Sequence, residues 1–123
     1  GLIMTFPAEG EKWSYVSVDV FGYAVEVAEK RRISPHGTVG IYHFASGSAF
    51  IRAANAMMRK DIRVNGEFYV APVYNEMIQK GRRIALWGIE ESAMHGIGTP
   101  DDLLLYFESQ GGYDSRSLPS NET

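Results

Sequence analysis

The chain has 123 residues, a formal net charge of −3, no cysteine, and 45% apolar against 22% charged residues. A chain of this length fits one small domain that buries ~65% of its unfolded surface. The negative balance argues against a nucleic-acid partner, which would need a basic face. The lack of cysteine excludes disulfides and thiolate metal sites.

In chain order, Gly1 to Phe6 (GLIMTF) reads as a buried strand at the very start. With no initiator methionine before it, the chain is expected to be processed or to be a piece of something longer. Lys12 to Val20 (KWSYVSVDV) alternates, with Trp13, Tyr15 and Ser17 on one face and Ser14, Val16 and Val18 on the other. Tyr23 to Val27 alternates again, and the intervening Asp19-Val20-Phe21-Gly22 has turn chemistry, so the two runs predict a β-hairpin. Thr38 to Phe44 (TVGIYHF) is a further strand, rich in β-formers.

The period then changes. Phe50, Ala53, Ala54, Met57 and Met58 recur at three and four, which predicts an amphipathic helix over Ser48–Arg59. Val70, Val73, Tyr74, Met77 and Ile78 repeat the pattern, and the Pro72 and Gly81 boundaries predict a helix over Pro72–Lys80. Arg82 to Ile89 is a short strand. Thr99 is an N-cap and Pro100 a first helical residue, with Asp101 and Asp102 in the positive first turn, so a last helix is expected over Pro100–Glu108. Residues 109–123 (SQGGYDSRSLPSNET) read as a flexible polar tail. No apolar run is long enough to cross a membrane. The class is α/β, with three or four strands in part of a mixed sheet and flanking helices.

Several groups carry chemistry, each with a plain structural alternative. Glu29 and Lys30 stand side by side where one strand gives way to a loop. Adjacent strand residues point to opposite faces, so the two could serve one site only if the strand ends or bulges there. A solvated strand end explains the pair equally simply. Gly40, inside a strand, marks close approach of a ligand or another backbone, with Tyr42 two residues on. Glu67 follows an Asn-Gly turn and precedes a helix, a place that favours a carboxylate for structural reasons alone. His36, His43 and His95 share no metal-ligand spacing, and no Ser–His–Asp or Cys–His arrangement supplies a nucleophile.

Five of these stretches, in order, resemble the second half of the sugar-phosphate nucleotidyltransferase domain, the enzymes that make nucleotide sugars. Lys12 to Asp19 is similar to the family strand Lys-Tyr-Gly-Val-Val-x-Phe-Asp, and Val27-Ala28-Glu29-Lys30 to its Glu-Lys signature. Thr38 to Phe44 resembles x-x-Gly-Leu-Tyr-x-Phe. Gly66 to Val70 resembles the Gly-Glu step before a helix, and Gly96 to Leu103 resembles x-Ile-Gly-Thr-Pro-Glu-Asp-Leu. The similarity runs from Leu2 to Glu108, and GEFYVAPVYN and GIGTPDD resemble members from capsule and surface-polysaccharide pathways.

The resemblance implies that residues 1–108 form the C-terminal, sugar-binding half of a Rossmann-like nucleotide-diphospho-sugar transferase sheet, in a cytoplasmic protein. It implies transfer of a nucleotidyl group from a nucleoside triphosphate to a sugar 1-phosphate, with pyrophosphate leaving. Glu29 would hold sugar hydroxyls and Lys30 the sugar phosphate as the catalytic cation. The backbone at Ser14 and Gly40 would meet the sugar, with Tyr42 and Glu67 lining it. Ser14 stands where the family has glycine. The family's Gly-rich nucleotide loop and first metal-binding aspartate have no counterpart here. Magnesium is implied by the family, but its second aspartate falls on Gly96. His95, Asp101 and Asp102 are the neighbouring groups that could stand in, and nothing in the sequence chooses among them. The other reading is a non-catalytic sugar-phosphate-binding or regulatory module. A half-sheet would leave an apolar face and a strand edge open, so self-association or pairing with the missing N-terminal half is expected.

Overall fold

A computed structural model describes residues 1–111. The chain divides into two compact units, Gly1–Ala93 and a second that begins at Met94. The first unit carries one mixed five-stranded sheet rather than three or four strands: β1 (Leu2–Pro7), β2 (Ser14–Val18), β3 (Ala24–Glu29), β4 (His36–His43) and β5 (Ala85–Gly88), in the order β3-β2-β4-β1-β5. β1 pairs antiparallel with β4 and parallel with β5, and β2 is antiparallel to both β3 and β4.

The β2–β3 hairpin forms where the alternation and the Asp19 turn predict it. The Asp19 carboxylate accepts from the backbone of Phe21 at 2.9 Å and of Tyr23 at 3.0 Å, and Gly22 takes the left-handed φ of 84° that the turn requires. Asn65 (φ 50°) and Gly66 (φ 79°) form the two-residue turn with two left-handed positions for which Asn-Gly is suited, closed by paired bonds between Val64 and Glu67 at 2.9 and 3.0 Å.

Two helices cover one face of the sheet. Helix α1 (Gly47–Arg59) starts one residue before its predicted boundary, with Ser46 Oγ accepting from the Ala49 amide at 3.2 Å. Its buried stripe is Ala49, Ala53 and Met57, spaced by four. The stripe expected from the sequence is rotated: Met58 faces outward, and Phe50 and Ala54 pack at the margin. Helix α2 (Val73–Gln79) begins after Pro72 and buries Val73, Tyr74 and Met77. These join Ile3, Val16, Ala24, Val27, Ala71 and Ile84 in the core.

Two polar side chains fix α2 to the sheet. Asn75 accepts from the Val27 amide through Oδ1 at 2.8 Å and donates through Nδ2 to the Val27 carbonyl at 2.7 Å, so its amide acts as a short extra strand beside β3. The Tyr74 ring stacks on Phe44 at 4.5 Å, and its hydroxyl donates to the His43 carbonyl at 2.9 Å. Burial pushes the Tyr74 phenol well above its ordinary pKa.

The second unit contains helix α3 (Pro100–Ser109), capped by Thr99 Oγ1 accepting from the Asp102 amide at 3.1 Å, as the sequence predicts. Of the tail, Ser109 closes this helix, and residues 112–123 lie outside the described residues. Among the described residues no helix is long and apolar enough to cross a membrane.

Candidate functional site

A cavity of about 340 Å³ opens where the start of β2, the end of β3, the middle of β4 and the Tyr69–Ala71 segment meet. That volume is at the lower end of the range for small-molecule sites. Four of the six residues singled out from sequence line it: Ser14, Glu29, Gly40 and Tyr42. Two larger hollows, about 610 and 600 Å³, lie beside Arg82–Arg83 and beside Arg32–Pro35, and neither contains a sequence-predicted site residue.

The left-handed conformation of Lys30 (φ 54°) ends β3 and removes the obstacle that a regular strand would pose. Its amide donates to the Trp13 carbonyl at 3.0 Å, and its ammonium lies 5.4 Å from the centre of the Tyr69 ring. Tyr69 lines the same cavity as Glu29. Thus Glu29 faces the cavity, while Lys30 stands at its rim against Tyr69 rather than in its wall. Partial burial pushes the Glu29 carboxyl up from its ordinary pKa, and the neighbouring Lys30 ammonium pulls it back in part.

Glu67 is exposed and is not part of the lining, contrary to expectation. It closes the Val64–Glu67 turn. Its carboxylate, close to the Tyr69 phenol, raises that phenol's pKa. Its route to the cavity therefore runs through Tyr69, a residue that no sequence pattern singled out.

Gly40 sits in β4 with φ 90°, and a side chain there would meet nothing within 4 Å. Backbone conformation, not crowding, requires the glycine. The register shows why. Ile3 pairs with Tyr42 and Thr5 with Thr38, so two steps along β1 match four along β4, and the extra residues form a bulge around Gly40. Four residues of regular strand would separate Thr38 from Tyr42 by ~13 Å, whereas two steps of β1 span only ~7 Å. The bulge thus lets the Tyr42 hydroxyl reach Thr38 Oγ1 at 2.9 Å.

Ser14 arrives from the other side. Tyr15 is paired with Gly37, which sets Ser14 opposite Thr38 in the antiparallel register. Ser14 Oγ hydrogen-bonds Thr38 Oγ1 and lies 3.1 Å from the Tyr42 hydroxyl. Ser14 and Thr38 are buried and Tyr42 is half-buried, so three hydroxyls close a triangle in the cavity floor. Sequence reading found two of the three; Thr38 was missed because its approach to Tyr42 depends on the bulge.

His95, Gly96, Asp101 and Asp102 belong to the second unit. Among the described residues no three His, Asp or Glu side chains gather at metal-binding distance.

No family model matches the chain, and no curated protein matches it. Among solved structures, a nucleoside-diphosphate-sugar pyrophosphorylase from Vibrio cholerae RC9 superimposes with a TM-score of 0.80 at 28% identity, over 88% of this chain and 46% of that one. The two share a fold. The five-stranded mixed sheet with flanking helices is thus a nucleotide-sugar-transferase-like arrangement. The chain spans about half the length of the solved structure it matches.

Proposed function

We propose that this chain supplies the sugar 1-phosphate side of a nucleotidyltransferase that makes nucleotide sugars. The carrying observation is the convergence of Ser14, Glu29, Gly40 and Tyr42 on one cavity, with Lys30 turned to its rim. The likeness to a nucleoside-diphosphate-sugar pyrophosphorylase supports nucleotidyl transfer as the reaction class.

In this reading Glu29 accepts hydrogen bonds from sugar hydroxyls, which a carboxylate does through two oxygens. Lys30 meets the phosphate as a point charge. The backbone around Ser14 and Gly40 approaches the sugar, Tyr42 borders it, and Glu67 holds Tyr69 in place. A sugar-phosphate oxygen attacks the α-phosphorus of the nucleoside triphosphate and the bond to pyrophosphate breaks. No protein nucleophile takes part, so this chain contributes positioning and charge. Magnesium, when bound by the complete protein, would offset the charge of the triphosphate. No step above depends on it.

The ladder between β2 and β4 is one pair long, so most of β4 has β1 as its only neighbouring strand among the described residues. Ile41 on this strand is more than half exposed. The outer strands of the sheet are β3 and β5, and we read the β5 edge, where Trp87 is more than half exposed, as the place where a second copy or the nucleotide-binding half completes the sheet.

Titration by NMR or calorimetry tests the main reading. Glucose, galactose and mannose 1-phosphates should include at least one weak, salt-sensitive ligand whose shifts map to Ser14, Glu29 and Tyr42. Nucleoside triphosphates should bind no more tightly. Tight triphosphate binding with no response to any sugar phosphate would overturn it.

A further inference from the structure

We propose that Thr38, acting with Ser14 and Tyr42, is the sugar-specificity determinant of the cavity: the three-hydroxyl floor accepts a hydrogen bond from one ring hydroxyl of the bound sugar. The proposal rests on the sugar 1-phosphate reading of that cavity. Thr38 lines it and is almost wholly buried, at 3% exposure. It is bonded to both other hydroxyls, and those two lie 3.1 Å from each other.

Hydrogen counting gives the floor its polarity. Each hydroxyl owns one hydrogen and can accept twice. Three mutual contacts consume all three hydrogens and leave one lone pair on each oxygen. The closed triangle is therefore an acceptor with nothing left to donate. The ionised Glu29 carboxylate in the same cavity is likewise an acceptor. A sugar group lodged against this wall must bring its own hydrogen. A hydroxyl does so; a ring oxygen, a carbonyl or a carboxylate does not, and a carboxylate also meets the charge of Glu29.

Thr38 decides the polarity because its removal frees a donor. In Thr38→Val, Ser14 and Tyr42 keep one mutual contact, which consumes one of their two hydrogens. The other is freed to donate into the cavity. The floor changes from acceptor only to donor and acceptor, with little change in side-chain volume.

The test measures binding of glucose 1-phosphate and each of its monodeoxyfluoro analogues, in which fluorine can accept but not donate, to the 123-residue chain, its Thr38→Val variant and its Tyr42→Phe variant. In the parent, the analogue lacking the hydroxyl that reaches the floor should bind about tenfold or more weakly than glucose 1-phosphate. In Thr38→Val that deficit should shrink to about twofold or less, while the deficits of the other analogues persist. Tyr42→Phe should shrink the same deficit, and it serves alone if Thr38→Val does not fold. A variant that weakens every analogue by one common factor would show a merely structural role and overturn the proposal, as would an unchanged profile. Failure of the parent to bind any of the sugar phosphates would instead bring down the site reading on which it rests.

Discussion

Lys30 offers a perturbation in which binding and stability should move separately. It combines a left-handed backbone at φ 54° with an ammonium 5.4 Å from the Tyr69 ring. A non-glycine residue in that conformation costs about 1–2 kcal/mol. Glycine relieves that strain at an extra unfolded-state entropy of roughly 0.5–1 kcal/mol. Either truncation loses the cation–π contact, about 0.5–1 kcal/mol at a half-exposed site. Lys30→Ala keeps the strain and loses the contact, so it should destabilise by about 0.5–1 kcal/mol. Lys30→Gly should be within about 1 kcal/mol of the parent and more stable than Lys30→Ala. Binding should not follow that order. A unit charge at ~4 Å in a water-like medium contributes about 1 kcal/mol, and a sugar phosphate near neutral pH carries close to two. Both variants should therefore lose about tenfold to thirtyfold in sugar 1-phosphate affinity at low salt. Raising the salt to ~1 M, where screening acts within ~3 Å, should bring parent and variants together. Urea unfolding and calorimetric titration at two salt concentrations measure both quantities. Parent-like affinity in both variants at low salt would remove Lys30 from the site.

Three further outcomes follow from other residues. An alanine Cβ at Gly37 would lie 2.4 Å from the Ala8 Cβ, whereas at Gly40 it would meet nothing within 4 Å. Gly37→Ala should thus cost more in urea unfolding than Gly40→Ala, whose penalty of about 1–2 kcal/mol is conformational; the reverse order would contradict the register described. Asn75→Ala removes two bonds to the Val27 backbone and should destabilise by about 2–3 kcal/mol, measured the same way, with a smaller loss showing that water replaces them. The Glu29 pKa is raised from 4.5 by burial, so the folded chain holds that proton more tightly than the unfolded one. Its contribution to stability is present in acid and is lost as pH rises from 4.5 through the raised value. Sugar binding needs the carboxylate and runs the other way, weakening as pH falls through that window. Glu29→Gln should abolish the extra pH dependence, leaving only that of the phosphate, and a parent profile identical to the variant's would exclude Glu29 as the acceptor.

The fold was legible where local chemistry and tertiary packing agree. The Asp19 turn, the Asn65-Gly66 turn and the Thr99 cap each appear as the sequence predicts, because each is fixed by conformations that few residues tolerate. Helix faces were less legible. In α1 the four-residue spacing of Ala49, Ala53 and Met57 wins over the larger apolar side chains at Phe50 and Met58. Small residues allow α1 to approach closely, so residue size at the contact decides which stripe is buried, and hydrophobicity alone does not report it. The Asn75 clamp on Val27 left no signal either, since an Asn in a helix pattern reads as a solvent-facing residue.

The site divides along the same line. Glu29, Gly40 and Tyr42 could be singled out because a charged strand end and a glycine within a strand are locally unusual. What joins them could not be. A glycine shows that a positive φ is tolerated, not that it is used, and the two-for-four register around Gly40 exists only once β1 has paired with β4. That pairing brings Thr38 and Tyr42 within reach of one hydroxyl contact, and the Tyr15–Gly37 pair then sets Ser14 opposite them. Residues from two strands distant in sequence become one polar surface through a backbone irregularity in a third-party register. The Lys30 turn does the same for the charged pair: one left-handed residue lets an ammonium and a carboxylate that alternate along the chain approach a single ring, Tyr69. Both devices store chemistry in φ, which side-chain identity alone leaves open.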